Sequence, residues 1–209
     1  MNPRRIEALA DGIFAIVMTL LVLDIKVPQN IPTTSLLGSW PVIHALLPNY
    51  IGYVASFIIL GVYWGAHHIL FTKVKESTFN FMWLNLFFLL SVTFIPFSTS
   101  FLAAYPLNGL AQALYAADLI FAGAMMYGLL HYAVRRRNLV QDSVSQEFWV
   151  NATGKILLPP IVYFIALLAS FWSAKACLAL LVVGPLIYFV PIDSGLWHWL
   201  SGREHRLGR

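Results

Sequence analysis

Six apolar stretches take up most of this 209-residue chain, and they limit what it can fold into. Hydropathy and helix-breaking residues place the predicted spans at residues 8–27, 47–70, 79–103, 110–134, 156–173 and 176–192. A helix needs about 20 apolar residues to cross a bilayer. Charged residues make up 11% of the chain, against about 25% in soluble domains, which is too little to cover a soluble globule. The sequence therefore predicts an all-α membrane protein, with residues 1–209 forming one domain of six transmembrane helices.

Basic residues are distributed unevenly between the two ends of these spans. Of the 13 Lys and Arg residues, 11 fall at one end, and two, Lys26 and Lys175, fall at the other. Because basic loops stay on the cytoplasmic side, we expect a multi-pass protein of the plasma membrane with both termini in the cytoplasm. The basic residues are scattered over every cytoplasmic end, which argues against a patch that binds nucleic acid. We therefore expect the lipid bilayer as a partner, and no nucleic acid.

The first span has an apolar face that is free of acidic residues. At 100° per residue, the members of this face lie within about 80° around the helix axis. They are Arg5, Leu9, Gly12, Ile16, Leu20 and Leu23. Asp11 lies on another side of the helix. From the residues alone, the stripe of Ile and Leu either packs against lipid and neighbouring helices or lines a pathway.

Thr19 borders that stripe and is the only hydroxyl residue in the middle of the first span. Its side chain either donates to the carbonyl of Ala15, as Thr often does in membrane helices, or contributes to a ring of hydroxyls beside the aliphatic stripe. The sequence alone does not decide between these two roles of Thr19.

A polar cluster is predicted where the first two spans meet the inner membrane boundary. Arg5 and Asp11 lie at that depth on the first span, and His67 and His68 lie at a similar depth on the second. An Asp–His or Asp–Arg contact would satisfy charges that hydrocarbon cannot solvate. The alternative is a proton relay, because His titrates near neutral pH.

Asp118 is predicted to lie midway through the fourth span, where an unpaired carboxylate is costly. It is expected to be protonated, or to bond a polar residue of the third span such as Asn85, Ser91 or Thr93. The functional alternative is a transporter carboxylate.

The segment from Asn138 to Lys155 mixes apolar and polar residues. It is expected either to form a helix at the membrane interface or to extend the fourth span.

The sequence shows no pattern of an enzyme or of a metal site. Metal-ligand spacing, a Gly-rich phosphate loop and a nucleophile–base pattern are all missing from it. His67 and His68 are adjacent, so a regular helix does not aim both at one metal ion. TVGYG, the loop whose carbonyls replace the hydration shell of potassium, is also missing. We expect neither enzymatic activity nor a bound cofactor.

The first span carries a recognisable motif, in which Arg5 is followed by Leu9-Ala10-Asp11 and, further on, by TLLVLDIKVP. It resembles the opening segment of the prokaryotic transmembrane protein 175 potassium-channel family, whose signature is Arg, three residues and then Phe-Ser-Asp. Two more stretches are similar to the family, WGAHHILF at 64–71 and the region 85–103 that contains FIPFSTSFLA. The resemblance covers the first half of the chain, and the last two spans match only in hydropathy.

The resemblance implies a homotetrameric cation channel. The first helices of the subunits then line the pore, and Ile16 and Leu23 form its constriction, which Leu20 on the same face narrows further. Thr19 resembles a cation-selectivity element, and the cluster of Arg5, Asp11, His67 and His68 resembles a brace behind the pore. The implied function is passive, potassium-favouring conduction of monovalent cations, with K⁺ as the permeating ion. Assembly is also expected because one six-span repeat cannot enclose a symmetric central pathway.

Two other functions compete with this interpretation. The first is a proton-coupled secondary transporter that uses Asp118 and the pair His67 and His68. Transporters often contain internal repeats and broken helices at mid-membrane, and the sequence shows neither clearly. The second is a structural membrane protein without transport activity.

Overall fold

The computed structural model describes residues 2–26, 40–136, 139–141 and 146–189. Apart from an isolated antiparallel bridge between Val74 and Val140, the regular elements of these residues are helical. They are α1 (Pro3–Leu23), α2 (Trp40–Phe71), α3 (Phe79–Ala104), α4 (Gly109–Arg135), α5 (Gln146–Ala169) and α6 (Ala174–Val183), followed by a 3-10 helix (Gly184–Phe189). The predicted all-α class is confirmed.

Within the described ranges, five helices, α1 to α5, are long enough and apolar enough to cross a bilayer. The apolar stretch that begins with α6, Ala174–Leu186, is shorter than these five. It is also shorter than the roughly 20 residues that a span needs. Residues 190–192 of the predicted sixth span lie outside the described residues. The sixth span therefore stays a prediction.

Side-chain caps fix where several helices begin. The Asn2 side chain accepts from the backbone N–H of Arg4 at 3.0 Å, and Thr78 Oγ1 accepts from the N–H of Phe81 at 3.3 Å. Asn108 caps α4 in the same way. The first four N–H groups of a helix have no partner within it, so each cap satisfies a group that would otherwise be unpaired.

The helices pack around α3 and α4. Helices α1 and α2 pack on each other and on α3, α5 packs on α4, and α6 packs mainly on α5. Helices α4 and α5 approach closely at Gly123, where an added Cβ would overlap the Cγ of Pro160. Small residues permit such close approach between membrane helices, which gain little from hydrophobic burial and depend on van der Waals contact.

Two connections pair with each other at one end of the bundle. The backbone N–H of Lys75 donates to the carbonyl of Leu139 at 2.8 Å, and that of Gln141 donates to the carbonyl of Lys73 at 3.0 Å. Leu139 and Val140 are buried. The connection after α2 is thereby held against the connection after α4.

The structure corrects both expectations for the segment 138–155. Helix α5 begins at Gln146 and continues without interruption to Ala169. This part of the segment therefore extends the fifth span at its N-terminal end, and it is neither a separate interfacial helix nor an extension of the fourth span. Residues 142–145 lie outside the described residues.

Candidate functional site

Helix α1 has two different faces. One face is buried against α2 and α3 and consists of Ile6, Ala10, Phe14, Val17 and Leu21. The aliphatic stripe lies on another face, where Ile16 is 59%, Leu20 44% and Leu23 72% exposed. The two sets recur every three to four residues, so each forms a continuous strip along the helix. Within the described part of one subunit, the stripe is therefore left uncovered.

The rest of the stripe is exposed as well. Leu9 is exposed, and so are Gly12 and Arg5 towards the N-terminal end of the same face. Large exposed apolar surface on one helix is free to contact lipid, another subunit or a pathway. The face that the sequence predicts for the pore is thus a surface of the subunit and not part of its core.

Thr19 lies beside the stripe and is exposed. Its hydroxyl donates to the carbonyl of Ile16 at 2.7 Å. The sequence predicted the carbonyl of Ala15 as the acceptor, and this prediction was wrong by one residue. Because the donor is used within the helix, the oxygen keeps its lone pairs as acceptors, and an acceptor is the group that a cation requires.

The polar contact between α1 and α2 exists, but its partners differ from the expectation. Asp11 Oδ1 accepts from Trp64 Nε1 at 2.9 Å. His68 Nδ1 lies 3.0 Å from Glu7 Oε1, and the ring of His68 stacks on that of Trp64 with centroids 5.9 Å apart. The expected Asp11–His contact is replaced by these two contacts. Arg5 is exposed and forms no ion pair with a described residue.

Sequence reasoning missed Glu7 and Trp64, although a signal was available. Glu7 and Asp11 are four residues apart on α1, and Trp64 and His68 are four residues apart on α2. Residues at this spacing lie on one face of a helix, one turn above each other. Two acceptors therefore face two donors across the α1–α2 contact. From here on, the brace means these four residues and no longer the cluster expected from the sequence.

His67 belongs to a separate site. It is fully buried, and its Nε2 lies 2.7 Å from Asn85 Oδ1 on α3. The Asn85 carbonyl oxygen only accepts, so Nε2 carries the proton and donates. The His67 ring stacks on Phe71, with centroids 4.2 Å apart, and on Phe88, with centroids 5.7 Å apart. The two adjacent histidines therefore serve different contacts.

Asp118 is buried between α3 and α4 and is held by two hydroxyl groups. Ser91 Oγ donates to Asp118 Oδ1 at 2.8 Å, and Ser98 Oγ donates to Oδ2 at 2.9 Å. Of the three expected partners, Ser91 is confirmed. Thr93 donates to a carbonyl of its own helix instead, and Asn85 bonds to His67. Both carboxylate oxygens are satisfied within the subunit.

The residues of the transporter interpretation lie in two separate networks. His67 reaches α3 at Asn85, whereas Asp118 reaches α3 at Ser91 and Ser98. Asn85 and Ser91 are six residues apart, which is about 9 Å along a helix. The described residues contain no group of three or more His, Cys, Asp or Glu side chains placed to hold a metal ion.

A bundle with five helices able to cross a bilayer, and with an open aliphatic face on the first, is a multi-pass membrane protein. Residues 5–96 match the family described as endosomal/lysosomal potassium channel TMEM175. The chain is also 38% identical over 177 residues to a potassium channel from Chamaesiphon minutus, covering 81% of this chain and 84% of that protein. The chain therefore belongs to the TMEM175 family.

A solved structure has a similar fold. It is the crystal structure of a lysosomal potassium-selective channel TMEM175 homologue from Chamaesiphon minutus. Its TM-score is 0.77 at 29% identity, covering 91% of this chain and 98% of that chain. The human relative, named endosomal/lysosomal proton channel TMEM175, is 32% identical over 176 residues, covering 76% of this chain and 32% of that protein. The family and these relatives are channels and not enzymes.

Proposed function

We propose that this chain is one subunit of a potassium-favouring cation channel whose pore is lined by α1. The observation that carries the proposal is the exposed Ile16–Leu20–Leu23 stripe on a helix whose opposite side is packed into the subunit. Membership of a potassium-channel family supports the choice of ion. The lipid-facing interpretation of the stripe is the alternative that the experiments must exclude.

The proposed assembly is a homotetramer of six-span subunits around the α1 helices. A single subunit cannot enclose a pathway with one exposed helix face, whereas ring symmetry places copies of that face around one axis. The uneven distribution of basic residues supports both termini in the cytoplasm, and the plasma membrane is the proposed location. The permeating ion is K⁺, and no cofactor is required by this mechanism.

The proposed constriction is a series of apolar rings. Ile16 and Leu23 are seven residues apart, so their rings are separated by about 10 Å along the pore, with Leu20 between them. Apolar side chains offer no replacement for the hydration shell of an ion, and a narrow ring of them can lose its water. Conduction then depends on how wide the rings open.

Thr19 is the proposed selectivity element. Its hydroxyl oxygen lies one residue before the Leu20 ring and keeps free lone pairs, because its proton is used by the carbonyl of Ile16. A ring of such oxygens compensates in part for lost hydration, and selectivity from side chains and pore width is expected to be modest.

The brace supports this geometry. Its two hydrogen-bonded contacts fix the rotation of α1 against α2, because Glu7 and Asp11 must face His68 and Trp64 at the same time. A fixed rotation keeps Ile16 and Leu23 directed away from the subunit. The role of the brace is therefore positioning, and Arg5 is left outside it.

Proton permeation is a second candidate, because the human relative is named a proton channel.

A coupled transporter that uses Asp118 and the pair His67 and His68 is less well supported. The related proteins are named channels, and Asp118 and His67 lie in separate networks.

Current recording on the purified protein in planar bilayers separates these functions. With potassium on one side and sodium on the other, the proposed channel gives a reversal potential displaced towards the potassium equilibrium potential at symmetrical pH. A proton channel follows an imposed pH gradient instead. A transporter gives small, pH-coupled flux, and a structural protein gives none. A reversal potential that ignores the potassium gradient would contradict the proposal.

A further inference from the structure

An apolar groove opens at the end of the bundle where α2 and α4 finish and α5 begins. Its volume is about 330 Å³. Ala66 and Ile69 line it from α2, Leu130 from α4, and Ala152 and Lys155 from α5. The groove lies apart from α1, so neither the proposed pore nor the brace uses it.

Among the described residues that line the groove, Lys155 is the one charged residue. It is exposed, and within the described part of the chain it has no ion-pair partner. A lysine in this position lays its four-carbon stem along apolar surface and keeps its ammonium at the polar boundary. The groove thus combines an apolar floor with a positive charge at its edge.

The surrounding end of the protein is also basic. Because the connections after α2 and α4 pair with each other, their basic residues lie at the same end as the groove. The described basic residues of this end are Arg4, Arg5, Lys73, Lys75, Arg135, Arg136 and Lys155. The acidic residues with described side chains at this end are Glu7 and Asp11, which are engaged in the brace, and the exposed Glu76. The basic residues outnumber them seven to three. The local field therefore favours an anion.

We infer that this groove binds an anionic phospholipid, with an acyl chain against Ile69 and Leu130 and the phosphate at Lys155. A membrane supplies acyl chains at this depth, and basic pockets between transmembrane helices bind anionic headgroups. The charge at the edge of the groove selects the anionic lipid over a zwitterionic one. A contact with another subunit would need no charge at this position.

Native mass spectrometry of the purified full-length protein tests the inference with phosphatidylglycerol and phosphatidylcholine as probes. We expect the wild-type protein to retain phosphatidylglycerol preferentially. Lys155→Ala should reduce that preference about fivefold, the effect of one basic residue near an anionic surface. Lys175→Ala is the matched control, because Lys175 is an exposed lysine at the start of α6 and not at the groove. It should leave the preference unchanged.

A second variant fills the groove itself. Ala152→Phe should lower the retention of both lipids while Lys155 is still present. Equal retention of the two lipids by the wild-type protein would overturn the inference, as would a preference that survives Lys155→Ala. Displacement of phosphatidylglycerol by inorganic phosphate would also contradict it, because the site would then be a phosphate site. A changed oligomeric mass in Ala152→Phe with unchanged lipid retention would assign the groove to a contact between subunits.

Discussion

Leu21 and Leu23 provide a direct comparison of the two faces of α1. They are two residues apart on the same helix, yet Leu21 is 2% exposed and Leu23 is 72% exposed. Substitution by Ala removes the same three carbons at each position. Any difference between Leu21→Ala and Leu23→Ala therefore reports the surroundings of the side chain and not its chemistry.

The magnitude follows from what surrounds each leucine. A buried Leu→Ala change in a soluble core costs about 2–5 kcal/mol, which includes the transfer of the side chain from water. In a membrane the outside solvent is lipid, so the transfer part largely disappears and the packing part remains. We expect Leu21→Ala to cost roughly 1–3 kcal/mol. Leu23→Ala should change the stability of the subunit by less than about 0.5 kcal/mol.

Thermal unfolding followed by the helical circular dichroism signal measures this difference. For a chain of this size, the expected cost of Leu21→Ala corresponds to a Tm lowered by about 2–12 °C. Conduction should show the opposite pattern, with a larger current in Leu23→Ala and an unchanged unitary current in Leu21→Ala. The reasoning is refuted if Leu23→Ala lowers the Tm as much as Leu21→Ala and leaves the current unchanged.

Four further substitutions test the packing, the buried acid and the brace. Gly123→Ala should lower the stability by about 1–3 kcal/mol, because the new Cβ overlaps Pro160 where α4 and α5 are in contact. Asp118→Leu removes the carboxylate acceptor of Ser91 and Ser98, but each hydroxyl keeps a backbone carbonyl within 3.1 Å. We therefore expect a cost of about 1 kcal/mol for each lost hydrogen bond, which lowers the Tm while the reversal potential of surviving channels is unchanged. Asp11→Ala and Trp64→Phe should each remove the same hydrogen bond and lower the yield of tetramer by size-exclusion chromatography, without altering ion preference.

Each of these substitutions has a control or an opposing outcome. Gly128→Ala is the control for packing, since its added Cβ meets Leu84 Cδ2 at an ordinary 3.7 Å. Asp118→Asn keeps an acceptor for Ser91 and should lose less stability than Asp118→Leu. Normal assembly of either Asp118 variant, with the pH dependence of the current abolished, would instead favour a transporter carboxylate. The same result for Asp11→Ala would favour a proton relay.

The faces of α1 could be predicted because helical periodicity alone fixes them. Ile16, Leu20 and Leu23 share a face in any α-helix, and the structure leaves that face exposed. The identity of the brace partners could not be predicted in this way. It depends on how α1 and α2 rotate and shift against each other, which places Asp11 on Trp64 and His68 on Glu7. The acceptor of the Thr19 hydroxyl could not be predicted either, because a Thr hydroxyl on a helix can reach both the Ala15 and the Ile16 carbonyl.

The start of α5 was missed for a different physical reason. Hydropathy detects the part of a helix that lies in hydrocarbon, so it predicted a span from residue 156. The ten preceding residues, QEFWVNATGK, are mixed in polarity and form helix all the same. Backbone hydrogen bonding continues a helix past the hydrocarbon boundary. A contact of Asp118 with a polar residue of the third span was predictable, because a buried carboxylate requires a donor. The span offers several such residues, and Ser98, which donates together with Ser91, was missed.

The central claim is that α1 lines the conduction pathway, and a cysteine placed on its exposed stripe tests it most directly. The chain has one cysteine, Cys177, which is buried, so Cys177→Ala provides the background for Leu23→Cys and for Leu90→Cys. Leu90 is an exposed leucine of α3 that the proposal places outside the pore. The account predicts that a charged methanethiosulfonate reagent blocks the potassium current of the Leu23→Cys channel and leaves that of the Leu90→Cys channel unchanged. Block at Leu90 with none at Leu23, or the same response at both, would contradict it.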